Sequence, residues 1–408
     1  MSETGEVVVT VDAAEDAALA QAAGNYALRG RNARWSELEP SRTDGPADPL
    51  AGYEQKQVQE ELLRCLNSES LSILTGLGTS LGIPPNSGAK APTMWDLWNS
   101  VAALPEFSSI EPQTPQDILN SQNIEHLLSH VQARINVHPI DATLARFLQN
   151  AQAIILASCS FIDSDSELDV HELFLRKVGR RSPRHERTKL FTTNYDLAFE
   201  VAAARSRFHF IDGFANSTIN EFDASLFDLD FVRRGSNGNI SLEGNVLHLL
   251  KLHGSVNWDG HASETRRTST SPATPVLIYP SANKYQMSFR QPYLEMMSRF
   301  QIALRQPNSA LIVSGFGFND EHIVAPIESA VRGNVGLRLV VVDPNIRNEQ
   351  KRSEFLTWLE RLALAGDHRI TLVEGTFSDL VRLLPDSAEY DERQAHADRI
   401  QRTEQGGS

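Results

Sequence analysis

The stretch SILTGLGTSLGIP, Ser72 to Pro84, decides the reading of this chain. A short apolar run, Leu71 to Leu74, ends abruptly in Gly76, Leu77, Gly78, Thr79 and Ser80. An apolar strand that breaks into glycines lets backbone approach backbone, or a phosphate, closely. Taken alone, the motif fits a tight packing turn as well as a nucleotide loop. The usual dinucleotide fingerprint has a third glycine, and Leu81 stands in its place.

Working outward, the same pattern recurs. Strand-like runs follow at Lys189 to Phe191, Val246 to Leu252, Val276 to Ile278, Ala310 to Val313, Leu337 to Val342 and Ile370 to Val373. Helical spacing separates several of them. Strands alternating with helices predict an α/β fold, a Rossmann-like, mostly parallel sheet covered on both faces. The block 94–186 breaks the alternation with two amphipathic patterns: Ile124, Leu127, Leu128, Val131 and Ile135, then Leu144, Phe147, Leu148, Ala151, Ile154 and Ile155. It reads as an inserted helical module. Residues 1–54 read as an N-terminal arm, mobile or docked on a partner, with one β-like run at Val7 to Val11. Residues 55–385 read as the folded domain and 386–408 as a polar tail.

Composition narrows the class. The chain has 408 residues, 41% apolar and 22% charged, with a formal charge of −14. It can build a sizeable core, and such a surface repels phosphates unless a local patch is basic. The two cysteines, Cys65 and Cys159, exclude a disulfide framework and a four-cysteine zinc site. No apolar run approaches the ~18 residues of a membrane span, and the first residues lack a secretory pattern. The expectation is a cytoplasmic protein with no membrane contact.

Four further strand ends carry polar residues. LFTTNYDLAFE (Leu190 to Glu200) places Thr192, Thr193, Asn194, Tyr195 and Asp196 after a strand. LHLLKLHGSVNW (Leu247 to Trp258) ends a strand in His253 and Gly254. ALIVSGFGFND (Ala310 to Asp320) continues into Ser314, Gly315, Phe316 and Gly317, and LRLVVVDPN (Leu337 to Asn345) places Asp343 at a strand end. Open α/β sheets bind ligands at the carboxyl ends of their strands. An acidic strand end suits ribose hydroxyls.

The order of these motifs resembles the sirtuin family over roughly Gln55 to Leu384, with gaps at the helical insert and at 200–245. Within it, FTTNYDLAFE, KLHGS, LIYPSANKY (Leu277 to Tyr285) and GFGFND are most similar to sirtuin-like proteins of bacterial antiphage defence, in particular the type encoded with a HerA-type ATPase. The resemblance implies NAD as substrate and no metal. It assigns Asn194, His253 and Asp196 to catalysis. It assigns Gly76, Gly78, Thr79, Ser80, Thr193, Ser314, Gly315 and Asp343 to cofactor binding. Leu77 replaces a small residue usual in the first loop, and the zinc ribbon of protein deacylases is missing. The implied activity is NAD+ hydrolysis to ADP-ribose and nicotinamide in abortive infection, by a homo-oligomer docked on a hexameric HerA-type ATPase. The alternatives are a nuclease subunit, reaching nucleic acid through the partner, and a non-catalytic subunit sensing NAD or ADP-ribose.

Other candidates read as bland. His126 and His130, four apart on a helix, lack a third metal ligand in sequence. Arg180, Arg181, Arg184 and Arg187, with Lys177 and Lys189, form the one basic cluster and fit a solvated loop better than a nucleic-acid patch. Lys284 and Tyr285 follow a strand beside the expected cofactor site. Arg266, Arg267 and the Ser/Thr run to Ser271 read as an exposed loop.

Overall fold

A computed structural model describes residues 26–38, 52–86, 88–179, 181–182, 185–217, 219–236, 238–261, 264–277 and 291–385. The run Val7 to Val11, Arg180, Arg184, Ile278, Lys284, Tyr285 and the tail from 386 lie outside them.

Apolar runs form the buried strands of the main sheet, and more polar runs form its edge and the two small sheets. In chain order these are β1 (Tyr26–Arg29), β2 (Arg34–Glu37), β3 (Ser70–Thr75), β4 (Lys189–Thr192), β5 (His209–Ile211), β6 (Val232–Arg234), β7 (Ile240–Leu242), β8 (Val246–Lys251), β9 (Gly254–His261), β10 (Glu264–Arg267), β11 (Pro275–Leu277), β12 (Ser309–Ser314), β13 (Arg338–Val342) and β14 (Ile370–Val373). Nine of them make one sheet in the order β2-β1-β14-β13-β12-β3-β4-β8-β5. From β14 to β5 every neighbouring pair is parallel. This is the expected α/β, Rossmann-like architecture.

Side chains alternate between two cores. Along β12, Leu311 and Val313 enter one apolar cluster with Phe300, Ile327 and Leu359. Ala310 and Ile312 enter the other, with Val58, Leu62, Phe174 and Leu380. A strand buried on both faces requires this near-continuous apolar sequence.

The chain order creates a switch point. After β3 the chain builds toward β4, β8 and β5; from β12 onward it builds on the opposite side of β3. Open α/β sheets bind ligands beside such a reversal, at the carboxyl ends of the strands.

Three expectations need correction. The inserted module is shorter than 94–186. Its own core joins Leu97, Trp98, Leu127, Leu128, Phe147 and Ile155, and reaches Val256 of β9 and Leu277 of β11. The helix Asp169–Gly179 instead packs Phe174, Leu175 and Val178 against the sheet. Its apolar face is equally periodic, so periodicity alone did not assign it. Second, β11 does not join the main sheet; it pairs antiparallel with β9 in a three-stranded sheet with β10. Third, Tyr26 to Glu37 is not an arm outside the fold. It forms the β1–β2 hairpin, antiparallel on β14.

No helix among the described residues is long and apolar enough to cross a membrane.

A buried ion pair locks the hairpin. Arg29 donates from Nε to Glu54 Oε1 at 2.5 Å and from Nη2 to Oε2 at 3.1 Å. Glu54 opens the helix Tyr53–Leu66. Removing one member of such a pair strands the other charge in the core. Glu54→Ala is expected to lower unfolding stability by about 3–5 kcal/mol, measured by denaturant titration. A change within ~1 kcal/mol would place the hairpin outside the cooperative fold.

Candidate functional site

A cleft of about 950 Å³ lies at the carboxyl ends of the parallel strands. It falls within the range of small-molecule sites, ~300–1,000 Å³. Its walls include Gly78 after β3, Thr193, Asn194 and Asp196 after β4, His253 after β8, Gly315 after β12 and Asp343 after β13. The helical insert closes the other side with Asn123, Glu125, His126, Ser129 and His130. Residues far apart in sequence thus converge because each ends a neighbouring strand.

Asn194 is held by a network. Its Nδ2 donates to Thr79 Oγ1 at 3.1 Å and to Ser80 Oγ at 2.9 Å. Ser80 Oγ donates in turn to Asp196 Oδ2 at 2.8 Å. Asp196 Oδ1 accepts from the Ala198 amide at 3.0 Å, at the start of the helix Ala198–Arg205. Both amide hydrogens of Asn194 are engaged, so Oδ1 is the polar atom it offers to the cleft, an acceptor. Below this turn, Lys251 at the end of β8 donates to Glu200 Oε1 at 2.9 Å, to Tyr195 O at 3.3 Å and to Asp196 O. A buried lysine thereby ties β8 to the turn that carries Asn194. Burial pushes the Glu200 carboxyl up despite that lysine.

His253 sits one residue before Gly254, whose φ is +92° and where a Cβ would lie 2.1 Å from Val276 O. Only glycine turns the chain there without collision. His253 is 5% exposed. Its Nε2 lies 2.9 Å from Asp320 Oδ2.

The first loop differs from its sequence reading. Gly76, Thr79 and Ser80 do not line the cleft. The amides of Gly76, Gly78, Thr79 and Ser80 donate to the carbonyls of Ser314, Gly315, Gly76 and Leu77 at 2.9–3.3 Å. Thr79 Oγ1 donates to Gly76 O at 2.9 Å. Those donors are committed within the protein, so the expected pyrophosphate cradle is not made by them. The glycines lead into a single 3₁₀ turn, Leu77–Thr79, rather than a long helix. They serve close packing: a Cβ on Gly78 would lie 2.6 Å from Gly315 Cα. Thr79 and Ser80 serve the site indirectly, by holding Asn194. Ser314 is fully buried at the end of β12 and stays off the cleft wall.

Asp343 reaches the cleft, and its Oδ1 accepts from the Asn345 amide at 2.7 Å. Burial raises its carboxyl above the usual aspartate range. Cys159 also lines the cleft, and burial, reinforced by Asp196, pushes its thiol up to about 12. It stays a thiol near neutrality and is no nucleophile. Across Cys159 lies a second cavity of about 880 Å³, without a charged residue in its lining and without any of the expected site residues.

Glu125, Asn319, Asp320 and Asn345 belong to the cleft and carried no role in the sequence reading. Asp320 was legible in part, as the end of GFGFND. Glu125 was not, because it comes from the insert. His126 and His130 face the cleft, and His130 Nε2 lies 3.2 Å from Gln113 O. Among the described residues no group of three or more His, Cys, Asp or Glu is arranged to hold a metal ion.

The described members of the basic cluster, Lys177, Arg181, Arg187 and Lys189, are each bonded within the chain. Arg181 donates to the carbonyls of Leu66 at 2.8 Å and Glu186 at 3.1 Å, and to that of Ser68. Arg187 pairs with Asp230 at 2.8 Å, Lys189 with Glu186 at 2.5 Å, and Lys177 donates to Leu384 O at 2.6 Å. Arg266 and Arg267 lie in β10, paired with Glu221 and Asp212.

Gly315 has φ +67°, and a Cβ there would lie 2.6 Å from the Thr79 amide nitrogen. Gly315→Ala is expected to lower stability by about 1–3 kcal/mol or more through left-handed strain and overpacking. A thermal melt with the wild-type midpoint would show that the two turns do not need their contact.

Residues 188–362 match the family described as the SIR2-like domain. The match covers β4, β8, β12 and β13 and every strand-end residue above except those of the first loop. No curated protein matches the chain. One solved structure, described as the crystal structure of cytosolic 5′-nucleotidase IIIB bound to cytidine, aligns at 12% identity over 78% of this chain and 92% of that chain. Its TM-score is 0.25, and the likeness carries no argument about fold or activity. The SIR2-like match is seated on strands that build the cleft.

Proposed function

We propose that the protein is an NAD+ glycohydrolase that cleaves the nicotinamide–ribose bond. One observation carries the reading. Asn194 and His253 end different strands yet line one cleft, beside the glycine turn at Gly315 and the strand-end Asp343.

The chemistry asks little acid help, because the leaving nicotinamide is already cationic. The C1′–N bond breaks with its electron pair returning to the pyridinium ring. The barrier lies in the oxocarbenium-like ribose left behind. Water oxygen then bonds to C1′ and releases one proton, giving ADP-ribose and neutral nicotinamide. Asn194 Oδ1 is the acceptor for that water or for a ribose hydroxyl. His253 is the base, with a reference pKa of about 6.5. Asp196 acts through Ser80 on the orientation of Asn194. Asp343 accepts from the hydroxyls of the other ribose. Depth in the cleft limits bulk water, which strengthens these interactions.

The biological setting follows from the resemblance. NAD depletion in abortive infection, assembly as a homo-oligomer and docking on a hexameric HerA-type ATPase in the cytoplasm are part of the same proposal. A nuclease role gains no support from the basic cluster, whose described members are paired within the chain. A non-catalytic sensor remains the reading that binding without turnover would favour.

The purified full chain, alone and with its ATPase partner, is incubated with NAD and nicotinamide release is followed chromatographically. Asn194→Ala and His253→Ala are each expected to lower turnover by about 100-fold or more while the protein stays folded, checked by circular dichroism. Wild-type rates in either variant would remove that residue's role. Calorimetric NAD binding without nicotinamide release in any assembly state would replace hydrolysis with sensing.

A further inference from the structure

Lys251 is the last residue of β8, just ahead of His253, and it is 3% exposed. The β4–β8 ladder ends there, opposite Thr192, with one further bond from the Leu252 amide to Thr192 O at 2.8 Å. β4 then gives way to the turn that carries Asn194. The Lys251 side chain reaches past the end of the ladder to that turn. Its Nζ donates to Tyr195 O at 3.3 Å, to Asp196 O, and to Glu200 Oε1 at 2.9 Å. An ammonium has three donors and no acceptor. Here the turn and the helix behind it supply an acceptor for each.

The turn is held from two sides. From one side, Thr79 and Ser80 bond the side chains of Asn194 and Asp196. From the other, the segment around His253 holds the backbone. The Val256 amide donates to Tyr195 O at 3.0 Å and Ser255 Oγ donates to it at 3.4 Å. Between Lys251 and these donors the chain turns at Gly254, φ +92°. The backbone of the Asn194 turn is therefore bonded to residues on both sides of His253. Thr79 and Ser80 fix Asn194 relative to β3, whereas Lys251 fixes it relative to β8.

We propose that Lys251 is a positioning residue: its ammonium sets the separation between Asn194 and His253 by bonding the turn of one to the strand of the other. Glu200 balances the charge. The catalytic consequence rests on the NAD hydrolase reading; the clamp rests on the geometry of this chain alone. Groups that act on one bond must keep their spacing, and a shift of about 1 Å can cost about 100-fold in rate.

Lys251→Met/Glu200→Gln removes both charges and keeps both stems, so no carboxylate loses its counter-charge. Hydrogen exchange of the full chain, read by mass spectrometry, is expected to be about 10-fold faster in peptides covering 193–200 and 254–258, with β3 and β12 at wild-type rates. kcat for nicotinamide release is expected to fall by about 10-fold or more, with KM for NAD within about threefold. In an Asn194→Ala background the same pair is expected to cost less than about threefold, because the turn no longer carries the group being positioned. A merely structural role costs equally in both backgrounds. Glu200→Gln alone leaves an acceptor for Nζ and is expected to stay within about threefold of wild type. Wild-type exchange at both peptides, equal loosening of β3 and β12, equal losses in the two backgrounds, or a Glu200→Gln loss as large as the pair's overturns the positioning role. A wild-type chain that neither binds nor cleaves NAD overturns the hydrolase reading, and the exchange rates still decide whether Lys251 clamps the turn.

Discussion

The close approach of two turns, one after β3 and one after β12, governs the rest of the molecule. Gly78 N donates to Gly315 O at 2.9 Å, and neither residue has room for a side chain. These are the strands at which chain order reverses. Thr79 and Ser80, from the turn after β3, hold the amide of Asn194 at the cleft wall. A phosphate-binding loop and a packing turn use the same glycines. Here packing takes up the amides, and the hydroxyls beyond them serve the neighbouring strand end.

The cleft divides into a fixed half and an added half. Strand ends supply Asn194, Asp196, His253 and Asp343, each anchored through the sheet. Lys251 ties two of these ends together from below, bonding to the backbone of the Asn194 turn and to Glu200. The insert supplies the facing wall from a core of its own, joined to the rest through Val256 and Leu277.

Most of the fold was legible because strands buried on both faces must be continuously apolar. Leu-, Ile- and Val-rich runs such as Ala310 to Val313 and Leu337 to Val342 admit no other element so short. The hidden parts obey the same physics. β11 is equally apolar but pairs with β9, and no one-dimensional pattern separates the two sheets. Arg29 and Glu54 fall in the stretch read as an arm; only the folded chain shows them 3% and 8% exposed and paired. In the site, polar residues at strand ends announced themselves by position. Glu125 did not, since a glutamate in the first turn of an amphipathic helix is ordinary until the helix is seen against His253. Asp320 lay in a recognised motif, but only the fold brings its carboxylate to the His253 ring.

The central claim is that one dinucleotide lies across Asn194 and His253. A structure of the His253→Ala variant with NAD bound tests it most directly. The account requires the nicotinamide ribose within hydrogen-bond reach of Asn194 Oδ1, with the second ribose beside Asp343. A dinucleotide seated elsewhere, or with its nicotinamide end turned away from Asn194, would contradict it.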